Sequence, residues 1–312
     1  MVIIVGGGLT GIGVALGLLE KGLSDFVIIE QNDSILNNNS ANSFSLIHSG
    51  IRFLQHARIK SFFESQQASK EVAIKFSSSV RSIQSAVYLN DLNRFHRTLA
   101  KLATSLNIFQ LKTKDFFGKE GLYLIWNDYY IFDFCEFRNQ LLSLIKGKIK
   151  FTISVNKVNL SNLDTNLGKI EFDKLVLACF PSHLSEFRVL WAWNVLTDIN
   201  YDLNTCVGYK LGNRFIFCLQ RTDGLSFGTW YSNEKPSEQM IKRSIEDIRN
   251  AFSINLTKFR IELGVIPSSD GVNPVTKTYV LTQNEKVWKI YPSKLTTFLH
   301  TGRKVAKQLL SL

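Results

Sequence analysis

The chain has 312 residues, a formal net charge of +11, four cysteines, and 45% hydrophobic and 20% charged residues. That composition excludes extensive disorder and a small disulfide-stapled scaffold, and no unbroken run of about 18 apolar residues marks a membrane-spanning helix. The positive charge is compatible with nucleic acid or an anionic membrane surface. However, the 37 Lys and Arg residues are scattered without a basic block, which better suits a solvated surface attracting anionic small molecules.

Met1 to Leu19 is apolar but rich in glycine, and it lacks the basic leader of an export signal. Cys135, Cys179, Cys206 and Cys218 lie far apart with no CxxC pair. Both features lead to the expectation of a reducing cytoplasm, with association at the inner face of a membrane as the variant that the charge leaves open.

Val2-Ile3-Ile4-Val5 is a β-branched run suited to a strand buried on both faces. A glycine cluster follows, then a helix pattern with Ile12, Ala15, Leu16 and Leu19 on one face and Gly22 as its stop. Phe26 to Ile29 gives a second buried strand, so the front of the chain reads as a βαβ unit. The stretch Gln31 to Ser45 is Asn- and Ser-rich and reads as a loop. Helices are expected over about 57–76 and 94–106, an extended segment over Tyr123–Ile131, and a helix capped by Asp133 running to Leu144. Lys148–Leu160 and Lys169–Cys179 read as strands. Several short strands are expected between Val207 and Tyr231, turning near Gly212-Asn213 and Asp223-Gly224. A helix over Ser237–Phe252 and a docked terminal helix over 295–312 complete the pattern.

Gly6, Gly8 and Gly11 form GxGxxG directly after the first strand and at the start of the first helix. Such glycines permit a tight turn, close approach of the backbone to a pyrophosphate, and close helix–strand packing. The helix start offers unpaired N–H groups and partial positive charge to phosphates. Glu30, at the end of the second strand, is placed to accept hydrogen bonds from ribose hydroxyls, and its charge disfavours NADP. This unit alone does not separate FAD from NAD.

The segment Asn42-Ser43-Phe44-Ser45-Leu46-Ile47-His48-Ser49-Gly50-Ile51-Arg52-Phe53-Leu54 resembles the flavin-contacting segment of FAD-dependent glycerol-3-phosphate dehydrogenases. Its core, Ile47 to Ile51, is equally similar to L-2-hydroxyglutarate oxidases, and both groups lie in the D-amino-acid oxidase-like superfamily. Near the other end, Lys294-Leu295-Thr296-Thr297-Phe298 resembles the GGK-x-TT-[YF] signature of the glycerol-3-phosphate branch. Leu175 to Pro181 and Phe227-Gly228-Thr229 resemble family strands more generically.

The resemblance implies an α/β fold: a Rossmann-type FAD-binding domain with a parallel sheet, interleaved with a mostly antiparallel α+β substrate domain. The FAD-binding domain would take residues 1–85, 148–182 and 262–312, and the substrate domain 86–147 and 183–261. It implies FAD as cofactor, held by Gly6, Gly8, Gly11, Glu30, Asn42, Ser43, His48, Lys294, Thr296 and Thr297. His48 would act as base, Arg52 would hold an anionic substrate group through its planar fork, and Lys294 would stabilise charge on the reduced flavin or bind a phosphate. Lys277 aligns with a basic phosphate ligand of that branch. The expected partners are a small, anionic substrate and an electron acceptor that the sequence leaves unidentified, with no nucleic acid and no metal.

Three departures are visible. In Gly264-Val265-Ile266-Pro267, Ile266 stands where the branch carries a substrate-contacting arginine. Pro292-Ser293 replaces paired glycines, and Cys179-Phe180 replaces Thr-Gly. Losing the guanidinium removes an anchor of about 1.5–3 kcal/mol. A flavin-dependent oxidoreductase acting on a hydroxy acid, polyol phosphate or amine is therefore the leading expectation. A catalytically weakened flavin-binding protein and an FAD-dependent RNA-modification enzyme are the alternatives.

Overall fold

The computed structural model describes residues 1–37, 40–42, 44–48, 50, 59–89, 104, 109–178, 188–212, 214–268, 280–290 and 295–311. The chain begins with β1 (Val2–Val5), α1 (Leu9–Glu20) and β2 (Phe26–Ile29), and β1 pairs with β2 in parallel, Val2 opposite Phe26. Gly22 lies at φ +77°, and Leu23 N–H reaches back to Leu18 O at 3.0 Å, which closes the last turn of α1.

After the polar loop come β3 (Leu46–Ile47), α2 (Ile59–Lys75), β4 (Val80–Tyr88), β5 (Gln110–Phe116), β6 (Lys119–Ile131), α3 (Phe134–Leu144) and β7 (Ile149–Lys150). Asp133 caps α3 as expected, accepting from Glu136 N–H at 2.9 Å. A small meander follows, β8 (Val155–Val158), β9 (Asn162–Thr165) and β10 (Gly168–Glu171), and then β11 (Lys174–Leu177). The remainder holds β12 (Arg188–Leu196), β13 (Thr205–Leu211), β14 (Arg214–Arg221), β15 (Gly224–Ser232), α4 (Glu238–Phe252), β16 (Arg260–Ser268), β17 (Val280–Asn284), β18 (Val287–Ile290) and α5 (Phe298–Leu310), with a 3-10 turn at Leu295–Thr297 before α5.

Six strands form a sheet in the order β17-β18-β11-β1-β2-β7, parallel except for β17 against β18. Alternate residues of β1 serve its two faces. Val2 and Ile4 pack with Phe76, Phe137, Phe298 and Val305 of the helical layer, whereas Ile3 and Val5 pack with Leu163 and Phe172 of the meander. Burial on both sides is the reason the β1 sequence is continuously apolar.

The second sheet has nine strands in the order β16-β12-β15-β14-β13-β4-β6-β3, with β5 added on β6. It is antiparallel apart from β13 beside β4. On its outer face Trp193, Phe227 and Trp230 pack against Phe252 and Ile248 of α4. Its inner face turns toward the loop that leads from the parallel sheet. Ser237 caps α4 through Met240 N–H at 3.3 Å.

Two expectations need correction. Lys148–Leu160 is not one strand: Thr152 takes φ +58° and divides β7 from β8, which belong to different sheets. Lys169–Cys179 is likewise divided between β10 and β11 as the chain passes from the meander to the parallel sheet. The helix expected over 94–106 lies outside the described residues apart from Thr104. No helix among the described residues is long and apolar enough to cross a membrane.

Candidate active site

The glycine turn is assembled at the carboxyl end of β1. Gly6 adopts φ +108°, a conformation that side-chain-bearing residues rarely take, and its N–H donates to Ile29 O at 2.9 Å. A Cβ on Gly11 would sit 2.0 Å from Gly6 O, so α1 starts pressed onto the turn. Gly8 is the N-cap of α1 and supplies no side-chain cap. Leu9 N–H meets Ser40 Oγ only at 3.4 Å. The first turn of α1 therefore opens toward the polar loop, and Leu9 N–H is only weakly engaged there, an arrangement suited to phosphate oxygens.

Glu30 is buried beside this turn. Its Oε2 accepts from Gly7 N–H at 2.6 Å, and its Oε1 accepts from Asn32 N–H at 2.9 Å and Asn32 Nδ2 at 2.6 Å. Three donors hold the carboxylate still. Of its roughly four acceptor directions one is left for a ligand hydroxyl. Gly6, Gly8, Gly11 and Glu30 are thus brought together as one cradle.

The polar loop is tied to the second sheet rather than left loose. Ser45 O accepts from Ile131 N–H at 3.0 Å. Asn42 Nδ2 donates to Leu263 O of β16 at 2.5 Å, and Asn42 O accepts from Asn194 Nδ2 of β12 at 3.0 Å. Asn194 Oδ1 in turn accepts from Thr229 Oγ1 at 2.9 Å. The side-chain amide of Asn42 is therefore engaged with protein backbone.

His48 is exposed at the end of β3, with its ring edge-on to Phe217, centroids 6.4 Å apart. Thr296 is buried and donates from Oγ1 to His48 O at 3.2 Å, which joins the start of the C-terminal helical segment to the histidine. Thr297 precedes α5 without a side-chain capping bond. Ser43, Arg52, Lys277 and Lys294 lie outside the described residues, as do Cys179, Phe180, Pro292 and Ser293. Ile266 is opposite Leu190 in the β12–β16 pair, on the Asn194 side of the sheet.

The sequence reading missed Asn194 and Phe217. The signal for Asn194 was available: it is a polar residue at a core position of an otherwise apolar strand, RVLWAWNVL. Phe217 becomes informative only when β14 is placed under the loop. Cys206 lies on this inner face, with its thiol pushed up by burial and by the nearby Asp128 carboxylate, so it is no nucleophile at neutral pH.

Residues 1–109 match the family model DAO, FAD dependent oxidoreductase. An FAD-bound L-alpha-glycerophosphate oxidase from Mycoplasma pneumoniae superposes with a TM-score of 0.74 over 99% of this chain and 94% of its own, at 14% identity. The fold is that of the DAO-type FAD-dependent oxidoreductases. L-proline dehydrogenase from P. horikoshii shares this DAO-type fold, with a TM-score of 0.74, 13% identity and coverage of 100% of this chain and 92% of that one. Among curated proteins, the aerobic glycerol-3-phosphate dehydrogenase of Staphylococcus haemolyticus (strain JCSC1435) is 39% identical over 59 residues. That stretch is 19% of this chain and only 10% of the relative's own length.

Proposed function

We propose that this chain binds FAD and oxidises a small substrate bearing a hydroxyl or amino group. The observation that carries the reading is the cradle itself: a turn that admits no Cβ at Gly11, an α1 start without a side-chain cap, and Glu30 fixed alongside with acceptor capacity to spare. These residues fit a dinucleotide, the diphosphate at the helix start and the adenosine ribose at the carboxylate. The DAO match over the N-terminal third supports FAD as that dinucleotide.

When bound, FAD supplies the capacity to accept a hydride from the substrate carbon. The chain supplies position and proton handling. His48 takes the proton released from the substrate hydroxyl or amine, since a neutral imidazole is a competent acceptor near pH 7. Thr296 and the Ser45–Ile131 bond hold the histidine segment in place. Arg52 and Lys277 bind the substrate's anionic group, and Lys294 offsets negative charge that develops on the cofactor. Ser43 and Thr297 complete the polar contacts.

The same reading divides the chain into a nucleotide-binding part, residues 1–85, 148–182 and 262–312, and a substrate part, 86–147 and 183–261. Sheet membership favours moving two of these boundaries, because β4 and β16 both pair within the nine-stranded sheet.

The experiment is direct. Purified protein supplied with FAD should turn yellow, and candidate hydroxy acids, amines and glycerol 3-phosphate should be screened for bleaching it without oxygen. His48→Ala should keep the colour and lose at least 100-fold in bleaching rate. Protein that folds but stays colourless in excess FAD refutes the reading.

A further inference from the structure

The inner face of the nine-stranded sheet shows what kind of substrate the loop and sheet enclose. Strand pairing fixes which residues share that face. Asn194 lies opposite Glu262, Ala192 opposite Gly264 and Leu190 opposite Ile266, with no register shift along β12 and β16. On β14 and β15, Phe217 lies opposite Gly228. This face is the one turned to the histidine loop: Phe217 meets the His48 ring edge-on, Asn194 bonds Asn42, and a Cβ on Gly228 would lie 3.4 Å from the Phe44 ring. The alternate residues Trp193, Trp230 and Leu263 belong to the outer cluster under α4.

The surface presented to His48 by these strands is therefore apolar. Phe44, Phe217, Ala192 and Ile266 are only half-buried, so part of each is left to contact a ligand. Asn194, Thr229 and Asn42 satisfy one another; Ser226, on the same face opposite Leu219, keeps an unpartnered hydroxyl but is fully buried beneath the surface that meets a ligand. Charge sits at the margins. Lys210 lies opposite Phe215 at the end of β13. Arg221 is held by Glu262 at 2.9 and 3.1 Å and by Asp223 at 3.0 and 3.2 Å. A phosphate-bearing polyol set against this wall would desolvate hydroxyls without partners, whereas an alkyl or aromatic body would gain from burial.

We propose that Phe44, Phe217 and Ile266 form a specificity-determining wall, and that the substrate has one anionic end and an apolar body of several carbons. This rests on the FAD-dependent reading above and names the substrate class of the same site. Ile266 matters most, because in the resembled branch a guanidinium takes its place.

The test titrates the FAD-bound full chain with straight-chain monocarboxylates from acetate to octanoate, and separately with glycerol 3-phosphate, following the shift of the flavin absorbance band. The expected Kd falls about fourfold per added methylene over several members, and glycerol 3-phosphate binds more weakly than hexanoate. Ile266→Arg should flatten the chain-length dependence and improve glycerol 3-phosphate binding, while Ile266→Val should preserve the dependence. A Kd indifferent to chain length, tighter binding of glycerol 3-phosphate by the unaltered chain, or no spectral response to any carboxylate overturns the wall while leaving FAD binding intact. Protein that takes up no FAD overturns both readings, so the two failures are distinguishable.

Discussion

Asn194 shows how a single polar side chain joins the two sheets. It is 3% exposed, and both ends of its amide are used, one by the backbone of Asn42 and one by the hydroxyl of Thr229. Asn194→Asp keeps the shape and the acceptor but cannot donate to Asn42 O, and it puts a carboxylate against a carbonyl 3.0 Å away. The expected cost is about 1–3 kcal/mol, read as a lower urea midpoint at unchanged m-value, together with weaker FAD retention because the loop above the cradle loosens. A stability within about 0.5 kcal/mol of the parent would show that this bond holds nothing in place. At this scale the cradle was legible in the sequence: Gly6, Gly11 and Glu30 act through backbone geometry within 30 residues of one another. Asn42 was legible only as a polar loop residue, because its partners, Leu263 and Asn194, lie more than 150 positions away.

Helices α1 and α5 meet through glycine. A Cβ on Gly302 would fall 1.8 Å from Gly13 O, and one on Gly13 would fall 2.3 Å from Phe298 O. Gly302→Ala must push the backbones apart, at an expected cost of about 1–3 kcal/mol. Because Thr296 at the foot of the same helix contacts His48 O, FAD affinity should fall with the melting temperature. An unchanged melting temperature would mean that the crossing relaxes freely. Beside this crossing Arg303 bridges Glu20 at 2.5 and 3.2 Å and also engages Glu71, and Lys75 reaches Glu20 at 3.0 Å. The Arg303 guanidinium, and then Lys75, hold the Glu20 carboxyl below its ordinary 4.5. A lowered folded-state value means the stabilisation is complete above about pH 4.5 and is lost as pH falls through the depressed value. The groups are about one-third exposed, so the contribution is under about 1 kcal/mol. Glu20→Gln should lose less melting temperature than the parent between pH 6 and pH 3.5, and equal losses would rule out this network as an acid-sensitive element. The helices at this scale were legible from apolar spacing and caps, as with Asp133 and Ser237. The strand divisions at Thr152 and at 172–173 were not, since each marks a change of sheet imposed by distant partners.

Across the whole molecule the nine-stranded sheet was the least legible feature. β12 must find β16 on one side and β15 on the other, and β13 must lie parallel to β4, some 120 residues upstream. No local propensity encodes such pairings. β5, polar and largely exposed, carries no apolar signal. Once made, these pairings bind the two sheets into one unit. The stretch from the end of β2 through β3 begins at Glu30 beside the parallel sheet, bonds Asn194 and Leu263 in the other, and reaches His48, whose carbonyl meets Thr296. Unfolding is therefore expected to be a single transition, even though the dinucleotide cradle belongs to the parallel sheet alone. FAD at about 100 times its Kd should add about 2.7 kcal/mol, a rise of about 5 °C for a chain of this size. Trp126, Trp191, Trp193 and Trp230 sit in the nine-stranded sheet, and Trp288 sits in β18 of the parallel sheet, so in a Trp288→Phe background tryptophan fluorescence reports the part that does not hold the cradle. That transition should move upward with FAD by the same amount as flavin release. If the tryptophan transition instead stays fixed while a separate flavin-linked transition climbs, the sheets unfold independently, and the Asn42–Asn194 connection transmits no stability between them.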